Sequence, residues 1–227
     1  MFFDRYYLLL VLPAILLSLC AQILVKSTFA KYSRIKSSRN ITGYATAGLL
    51  MQVNRIRDVV IQPVQGSLTD HYDPGVKVLR LSHPVYGETS IAAIGVAAHE
   101  TGHAIQHARS YGPLVLRGTL VPAANIGSSF GPWIAMGGLF FSIPALIYLG
   151  IILFGVAVLF YVITLPVEFD ASSRAIAILR SNHVLTETEL EGVQKVLTAA
   201  ALTYVASALT ALMSFLRLIF IARDRDR

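Results

Sequence analysis

Charged side chains are absent from long parts of this chain. Three stretches contain no Asp, Glu, Lys or Arg: Tyr6–Val25, Gly118–Val167 and Val196–Leu216. A helix needs about 20 apolar residues to cross the roughly 30 Å hydrocarbon core of a bilayer. The first and last stretches are long enough for one crossing each, and the middle stretch is long enough for two. The pattern therefore predicts an α-helical membrane protein with about four transmembrane helices.

The predicted spans divide the chain into six segments. The break in the middle stretch is expected near Ser142, Ile143 and Pro144. The first half of that hairpin contains Pro, Asn, Gly and Ser, so a re-entrant or interfacial helix at residues 120–141 remains an alternative. The expected segments are an N-terminal transmembrane anchor at 1–25, a polar α+β segment at 26–117, a transmembrane hairpin at 118–165, a further helix at 166–195, a C-terminal transmembrane helix at 196–221 and a charged tail at 222–227.

Composition and charge agree with a membrane protein and favour one orientation. The chain has 227 residues, of which 55% are hydrophobic and 14% charged, and its mean hydropathy is +0.62. The net charge of +6 is explained by cytoplasmic basic residues and anionic lipid, so no nucleic-acid partner is expected. The single Cys20 excludes a disulfide scaffold. No small-x-small cleavage site follows the first apolar stretch, which favours an anchor over a signal peptide.

Basic residues near the span ends indicate which side faces the cytoplasm. With four spans, both termini lie on one side and the two polar segments lie on the other. The terminal side has Arg5, Arg217, Arg223, Arg225 and Arg227. The opposite side has Lys26, Lys31, Arg34, Lys36, Arg39, Arg109, Arg117, Arg174, Arg180 and Lys195. The larger set predicts that the polar segments are cytoplasmic.

The segment at residues 26–117 is predicted to form a small α+β unit. Thr42 or Ser38 can cap a helix over residues 43–57, and Ser90 can cap a longer helix from Ile91 to about Arg109. Between these helices, strands are expected at residues 59–64, 67–72 and 76–82, with an Asp-Pro-Gly turn before the last strand.

The longer helix contains the sequence His99-Glu100-Thr101-Gly102-His103. Residues four apart lie on one face of a helix, so both imidazoles can bind one Zn²⁺. Glu100 can then reach a water molecule on the metal and act as a general base. Small apolar residues precede the motif, which predicts a buried helix. A buried His-Glu-His cluster needs partners, and this argues against a pair of solvated histidines.

A catalytic zinc site usually has a third protein ligand. His107 is about 12 Å from His99 along the helix, too far to share a metal. Glu168 is favoured because two spans return the chain to the same face, where Pro166 can begin a helix over residues 167–180. Its alternative role is that of a helix-dipole or interfacial carboxylate. Asp170 could orient a ligating imidazole or could itself replace Glu168 as the ligand, and the other candidates are His71, His83 and His183.

These motifs resemble the gluzincin membrane proteases, of which the heat-shock protease HtpX is an example. The closer resemblance is to the YugP-type neutral zinc metallopeptidases of bacteria, carried by Gly-Ser-Leu-Thr-Asp-His-Tyr-Asp-Pro at residues 66–74 and by residues 90–100. The resemblance implies a gluzincin-like domain in the bacterial cell membrane, zinc bound by His99, His103 and Glu168, and Glu100 as the base. In HtpX an Asp follows the Glu ligand by four positions, whereas Ser172 occupies that position here.

The expected function is therefore zinc-dependent hydrolysis of peptide bonds in protein or peptide substrates, membrane proteins among them. Candidate donors to the oxyanion are His183, Arg174, Tyr204 and Tyr72. The strand at 76–82 is predicted to pair with an extended substrate. Two alternatives remain: a site-two-type intramembrane metalloprotease, whose Leu-Asp-Gly motif is missing, and a non-catalytic zinc-binding membrane scaffold. The sequence defines no oligomeric state.

Overall fold

The protein is mostly helical and contains one small mixed sheet. A computed structural model describes residues 4–225. A π-helical segment at Tyr7–Val11 continues into the first α-helix. The elements are α1 (Leu12–Tyr32), α2 (Gly43–Val53), β1 (Val60–Val64), β2 (His71–Asp73), β3 (Val78–Ser82), α3 (His83–Tyr86), α4 (Ile91–Ala108), α5 (Gly112–Phe141), α6 (Pro144–Ser181) and α7 (Glu187–Arg225).

The chain divides into two compact units. Within the described chain, the first unit contains residues 4–22, 115–166 and 202–225, and the second contains residues 23–114 and 167–201. The first unit includes most of the three charge-free stretches. The second unit includes the sheet and the helix that carries the His-Glu-Thr-Gly-His sequence.

Three helical segments in the described chain are long and apolar enough to cross a membrane: Tyr7–Tyr32, Pro144–Ser181 and Glu187–Asp224. The second of the four predicted spans forms a single helix, α5, which contains Pro122 and Pro132 and is not among these three. The helices α5 and α6 meet at Ser142 and Ile143, where the sequence predicts the break. Three candidate spans are therefore established, and the fourth remains a prediction.

Glycines allow α5 and α6 to pack closely within the first unit. A Cβ atom at Gly127 would overlap the carbonyl oxygen of Leu153, and one at Gly138 would lie 2.6 Å from the backbone nitrogen of Ile147. At Gly131 the added atom would lie 2.8 Å from the nitrogen of Phe154. Small residues let the backbones of membrane helices approach each other. Such helices associate mainly through van der Waals packing, because lipid provides no hydrophobic driving force between them.

We expect Gly131→Leu to destabilise the first unit, because the added side chain would have to displace the α6 backbone. Overpacking of this kind costs about 1–3 kcal/mol. The matched control is Gly137→Leu, since nothing lies within 4 Å of the added Cβ there. Thermal unfolding in detergent, followed by circular dichroism, would compare the two variants with wild type. Equal midpoints for Gly131→Leu and Gly137→Leu would contradict the close packing.

The sheet of the second unit has the order β1-β3-β2. The central strand β3 pairs with β1 in parallel and with β2 in antiparallel orientation. Because β1 and β2 flank β3, and the backbone N–H of Ser82 bonds to Asp70, the predicted pairing of this strand with a substrate is wrong. The strand β2, which contacts α4, forms one edge of the sheet.

The caps predicted for two helices are present. The Thr42 hydroxyl accepts a hydrogen bond from the N–H of Ala45, and the Ser90 hydroxyl accepts one from the N–H of Ala93, each at 3.1 Å. The helix α2 ends at Val53, earlier than predicted, because Arg55 adopts a positive φ of 60°. Between the two capped helices, α3 and the sheet pack against α4 through a core whose fully buried side chains include Leu50, Leu79, Leu81, Ile94 and Ile105.

The prediction that a new helix begins at Pro166 is wrong. The helix α6 runs from Pro144 to Ser181 with Pro166 inside it. Proline keeps a helical φ angle and removes only one backbone donor, so a helix held by its neighbours can continue through it. Glu168 therefore lies in the interior of a long helix and not at a helix start.

Candidate metal centre

The helix α4 brings His99 and His103 together. Residues four apart lie on one helical face, and the two imidazole rings meet edge to face with their centroids 4.8 Å apart. The helix is buried from Ile91 to Gln106 apart from a few partly exposed positions, as its small apolar residues predict. His103 is itself buried, with 8% of its surface exposed.

Glu168 on α6 completes a triad with the two histidines. Its Oε2 atom lies 3.2 Å from Nε2 of His99 and 3.5 Å from Nε2 of His103. A carboxylate that is only 2% exposed is costly unless a positive charge or a metal compensates it. Among the described residues, these three are the His, Cys, Asp and Glu side chains that group in a way that could hold a metal ion.

Gly102, inside the motif, permits this arrangement. A Cβ atom at Gly102 would lie 2.6 Å from the carbonyl oxygen of Ala171, so α4 and α6 touch through their backbones at this position. Ala171 is three residues after Glu168 and is fully buried. The contact therefore sets the distance between the helix that carries the histidines and the helix that carries the carboxylate.

The dimensions of the triad fit a zinc ion. Zinc lies about 2.0–2.1 Å from imidazole nitrogen, and a tetrahedron of that size has ligand-to-ligand edges of about 3.3 Å. Two of the three separations between ligand atoms, 3.2 and 3.5 Å, lie on either side of that edge length, and all three ligand atoms lie within 4.8 Å of one another. Two nitrogens and one carboxylate oxygen form a donor set typical of catalytic zinc, with the fourth position open. His99, His103 and Glu168 could thus hold the metal.

A second layer of side chains orients His103. The Nε2 group of Gln106 donates to the carbonyl oxygen of Val167 and to Oδ2 of Asp170, each at 2.8 Å. Both partners are pure acceptors, so this end of the amide must be the NH₂ group and its Oε1 must face His103. Since Oε1 lies 3.0 Å from Nδ1 of His103, Nδ1 carries the proton. The lone pair of Nε2 is thereby left for a metal.

Ser172 has the corresponding position beside His99. Its hydroxyl lies 3.0 Å from Nδ1 of that histidine. It stands four residues after Glu168, where the HtpX pattern has an Asp. Asp170 contacts neither imidazole directly, because it bonds to Gln106 and to Arg174. The sequence reasoning missed Gln106 and Ser172, although their spacing from His103 and Glu168 would place each on the face of its own helix that carries the ligand.

Nearby carboxylates favour a proton on the imidazole of His103. Burial opposes the charged imidazole of His103, but the carboxylates of Glu168 and Glu100 outweigh it and raise the pKa of His103. A metal would compete with this proton, since a ligating imidazole must be neutral.

Glu100 lies outside the triad and faces the sheet. Its Oε2 atom accepts a hydrogen bond from the backbone N–H of Tyr72 on β2 at 3.1 Å. The hydroxyl of Tyr72 lies 2.7 Å from Nδ1 of His107. Burial, with the charges of Asp58 and Asp73, raises the pKa of Tyr72 to about 12, so the phenol keeps its proton at neutral pH.

The remaining candidates from the sequence are not part of the triad. Nδ1 of His71 lies 2.8 Å from the carbonyl oxygen of Thr69, His83 begins α3, and His183 follows α6 with a φ of 49°. Arg174 forms an ion pair with Asp170, and Tyr204 belongs to the first unit. None of these side chains is among the groups that could hold the metal.

Comparisons with known proteins decide the family. Residues 7–223 match the sequence model of the family described as "Putative neutral zinc metallopeptidase". The chain belongs to this family. The resemblance inferred from the motifs is thus confirmed, and the expected cofactor, zinc, is that of the family.

A relative from Bacillus subtilis (strain 168) agrees with this assignment. The chain is 51% identical over 215 residues to that organism's "Putative membrane protease YugP", a match that covers 95% of this chain and 96% of the relative. No solved structure matches the chain.

We expect Gln106→Leu to weaken zinc binding by about 10- to 100-fold, because His103 would lose the acceptor that fixes its tautomer. The affinity can be measured by competition with a chromogenic chelator in detergent. Gln52→Leu, on the exposed face of α2, is the matched control. An unchanged affinity for Gln106→Leu would show that the amide does not orient the ligand.

Proposed function

We propose that this protein is a membrane-bound zinc metalloendopeptidase of the gluzincin type. The observation that carries the proposal is the convergence of two imidazole nitrogens and one buried carboxylate oxygen, with Glu100 next in sequence to the first ligand. His99, His103 and Glu168 would hold the zinc. When bound, zinc lowers the pKa of a water molecule and polarises the scissile carbonyl group.

Glu100 has the role of general base in this proposal. Its carboxylate accepts a proton from the attacking water and later returns it to the leaving amine. The hydrogen bond from the Tyr72 N–H fixes the side chain against β2, so the base is oriented before substrate binds. An extended peptide at the edge formed by β2 would pass close to this carboxylate.

The same triad supports the assignment of α5 as a fourth span. His103 and Glu168 lie together, so the chain between them must return to the side of the membrane from which it left. In this proposal α6, a candidate span, is one crossing and α5 is the other. We therefore propose a multi-pass protein of the bacterial cell membrane with four spans and a gluzincin-like domain on the cytoplasmic side.

The proposed partners are protein or peptide substrates, membrane proteins among them, and the lipid bilayer. Nucleic acid is not a proposed partner. The scaffold alternative is less well supported, because a structural zinc site normally has four protein ligands and the candidate group has three. The site-two-type alternative needs its histidines inside a span, whereas the 18-residue helix α4 also carries Glu100, Gln106 and His107 and packs against the sheet.

The decisive experiment compares zinc content and casein cleavage in purified wild type, Glu100→Gln and Glu168→Ala. We expect about one zinc per wild-type chain and measurable cleavage. Glu100→Gln should retain zinc and lose activity by about 10²- to 10⁴-fold, because only the proton transfer is removed. Glu168→Ala should lose both.

The matched control is Glu88→Gln, an exposed carboxylate outside the site, which should behave as wild type. Zinc retention in Glu168→Ala would refute the third ligand and make Asp170 the next residue to test. Full activity of Glu100→Gln would refute the assignment of the base.

The proposed topology predicts opposite labelling of two cysteines introduced into a Cys20→Ser background. Arg223→Cys should react with a membrane-impermeant maleimide in spheroplasts, and Arg57→Cys should react only in inverted vesicles. Labelling of both from the same side would contradict four spans, and labelling of Arg57→Cys in spheroplasts would contradict the orientation.

A further inference from the structure

A pocket of about 430 Å³ lies within the second unit beside the C-terminal part of α4. Its volume is within the range typical of ligand sites. Ile56 and Ile105 contribute apolar side chains to the lining, and Tyr72 contributes an aromatic ring. The polar lining consists of Asn54, Arg55, Asp58, Lys77, His107 and Arg109.

The pocket has an excess of positive charge. Lys77 and Asp58 neutralise each other through an ion pair of 2.5 Å. The guanidinium of Arg109 donates to the uncharged amide oxygen of Asn54 at 3.0 Å, and Arg55 has no ion pair within the described chain. Among the described residues, these two guanidinium groups therefore have no carboxylate partner. Planar guanidinium groups suit carboxylates, which they can bind through two parallel hydrogen bonds.

Tyr72 connects this pocket to the proposed catalytic base. Its backbone N–H donates to Glu100, while its side chain lines the pocket and bonds to His107. Along α4, Ala104 is roughly 6 Å beyond Glu100 and Arg109 is roughly 13 Å beyond it. An extended peptide rises about 3.3 Å per residue, so these distances correspond to about two to four substrate residues.

We propose that this pocket binds a carboxylate of the peptide substrate, about two to four residues from the cleaved bond on one side. The carboxylate belongs to an acidic side chain or to the substrate's C-terminus. The proposal rests on the proposed protease function, since it names a substrate preference of the same site. A peptide is favoured over a lipid headgroup because one residue, Tyr72, contacts both the base and the pocket.

The test measures binding, which needs no cleavage. Two fluorescein-labelled peptides of equal length, one with glutamates and one with glutamines at the same positions and both with an amidated C-terminus, are titrated against the Glu100→Gln protein in detergent. We expect the acidic peptide to bind at least about tenfold more tightly, because charge-assisted hydrogen bonds would be formed only with it. Free-acid and amidated forms of the glutamine peptide then distinguish the C-terminal carboxylate from a side chain.

Substitution of the two arginines tests whether the preference for acidic peptide arises at this pocket. Arg55→Ala and Arg109→Ala should each reduce the preference for acidic peptide, whereas Arg57→Ala, an exposed arginine outside the lining, should leave it unchanged. Arg109→Glu should reverse the preference towards a lysine-containing peptide, a result that a merely structural role would not produce.

Equal affinity for the acidic peptide, the amidated glutamine peptide and its free-acid form would overturn the proposal, as would equal effects of Arg57→Ala and Arg109→Ala. Binding to phosphatidylglycerol vesicles that Arg55→Ala and Arg109→Ala abolish, without any peptide preference, would assign the pocket to a lipid headgroup and also overturn it. Failure of the protease function would appear separately, as absent casein cleavage with the peptide preference intact.

Discussion

The buried carboxylate of Glu168 is the constraint on which the site depends. In the interior of a long helix and almost without exposure, it is stabilised by the two imidazoles that α4 supplies. Those groups can reach it because Gly102 lets the two backbones touch at Ala171.

Neutral side chains orient both imidazoles. An amide at Gln106 and a hydroxyl at Ser172 lie where zinc enzymes often have a carboxylate. Such partners fix the ring orientation without adding negative charge, so the bound metal would remain a stronger Lewis acid. The carboxylate of Asp170 does not contact the imidazole; it accepts a hydrogen bond from the Gln106 amide and so orients that amide. At residue 172, where the HtpX pattern has an Asp, this chain therefore uses the hydroxyl of Ser172 as the hydrogen-bonding partner of His99.

Local patterns in the sequence predicted the helix caps at Thr42 and Ser90, the apolar spans, and the two histidines one turn apart, because each depends on neighbours within a few residues. Features set by packing between distant segments were not predicted. Pro166 does not interrupt α6, since packing outweighs one missing hydrogen bond, and β3 is central because β1 joins it in parallel after a long connection. Gln106 acquires its role only once Val167 and Asp170 lie beside it.

X-ray absorption at the zinc K-edge of the loaded protein can distinguish an open zinc site, made of two imidazoles and one carboxylate, from a site with other ligands. The open site predicts four nitrogen or oxygen neighbours at about 2.0–2.2 Å, with the multiple-scattering signal of two imidazoles in wild type and the same signal in Glu100→Gln. A sulfur neighbour at about 2.3 Å, or a signal that requires three or more imidazoles, would contradict it.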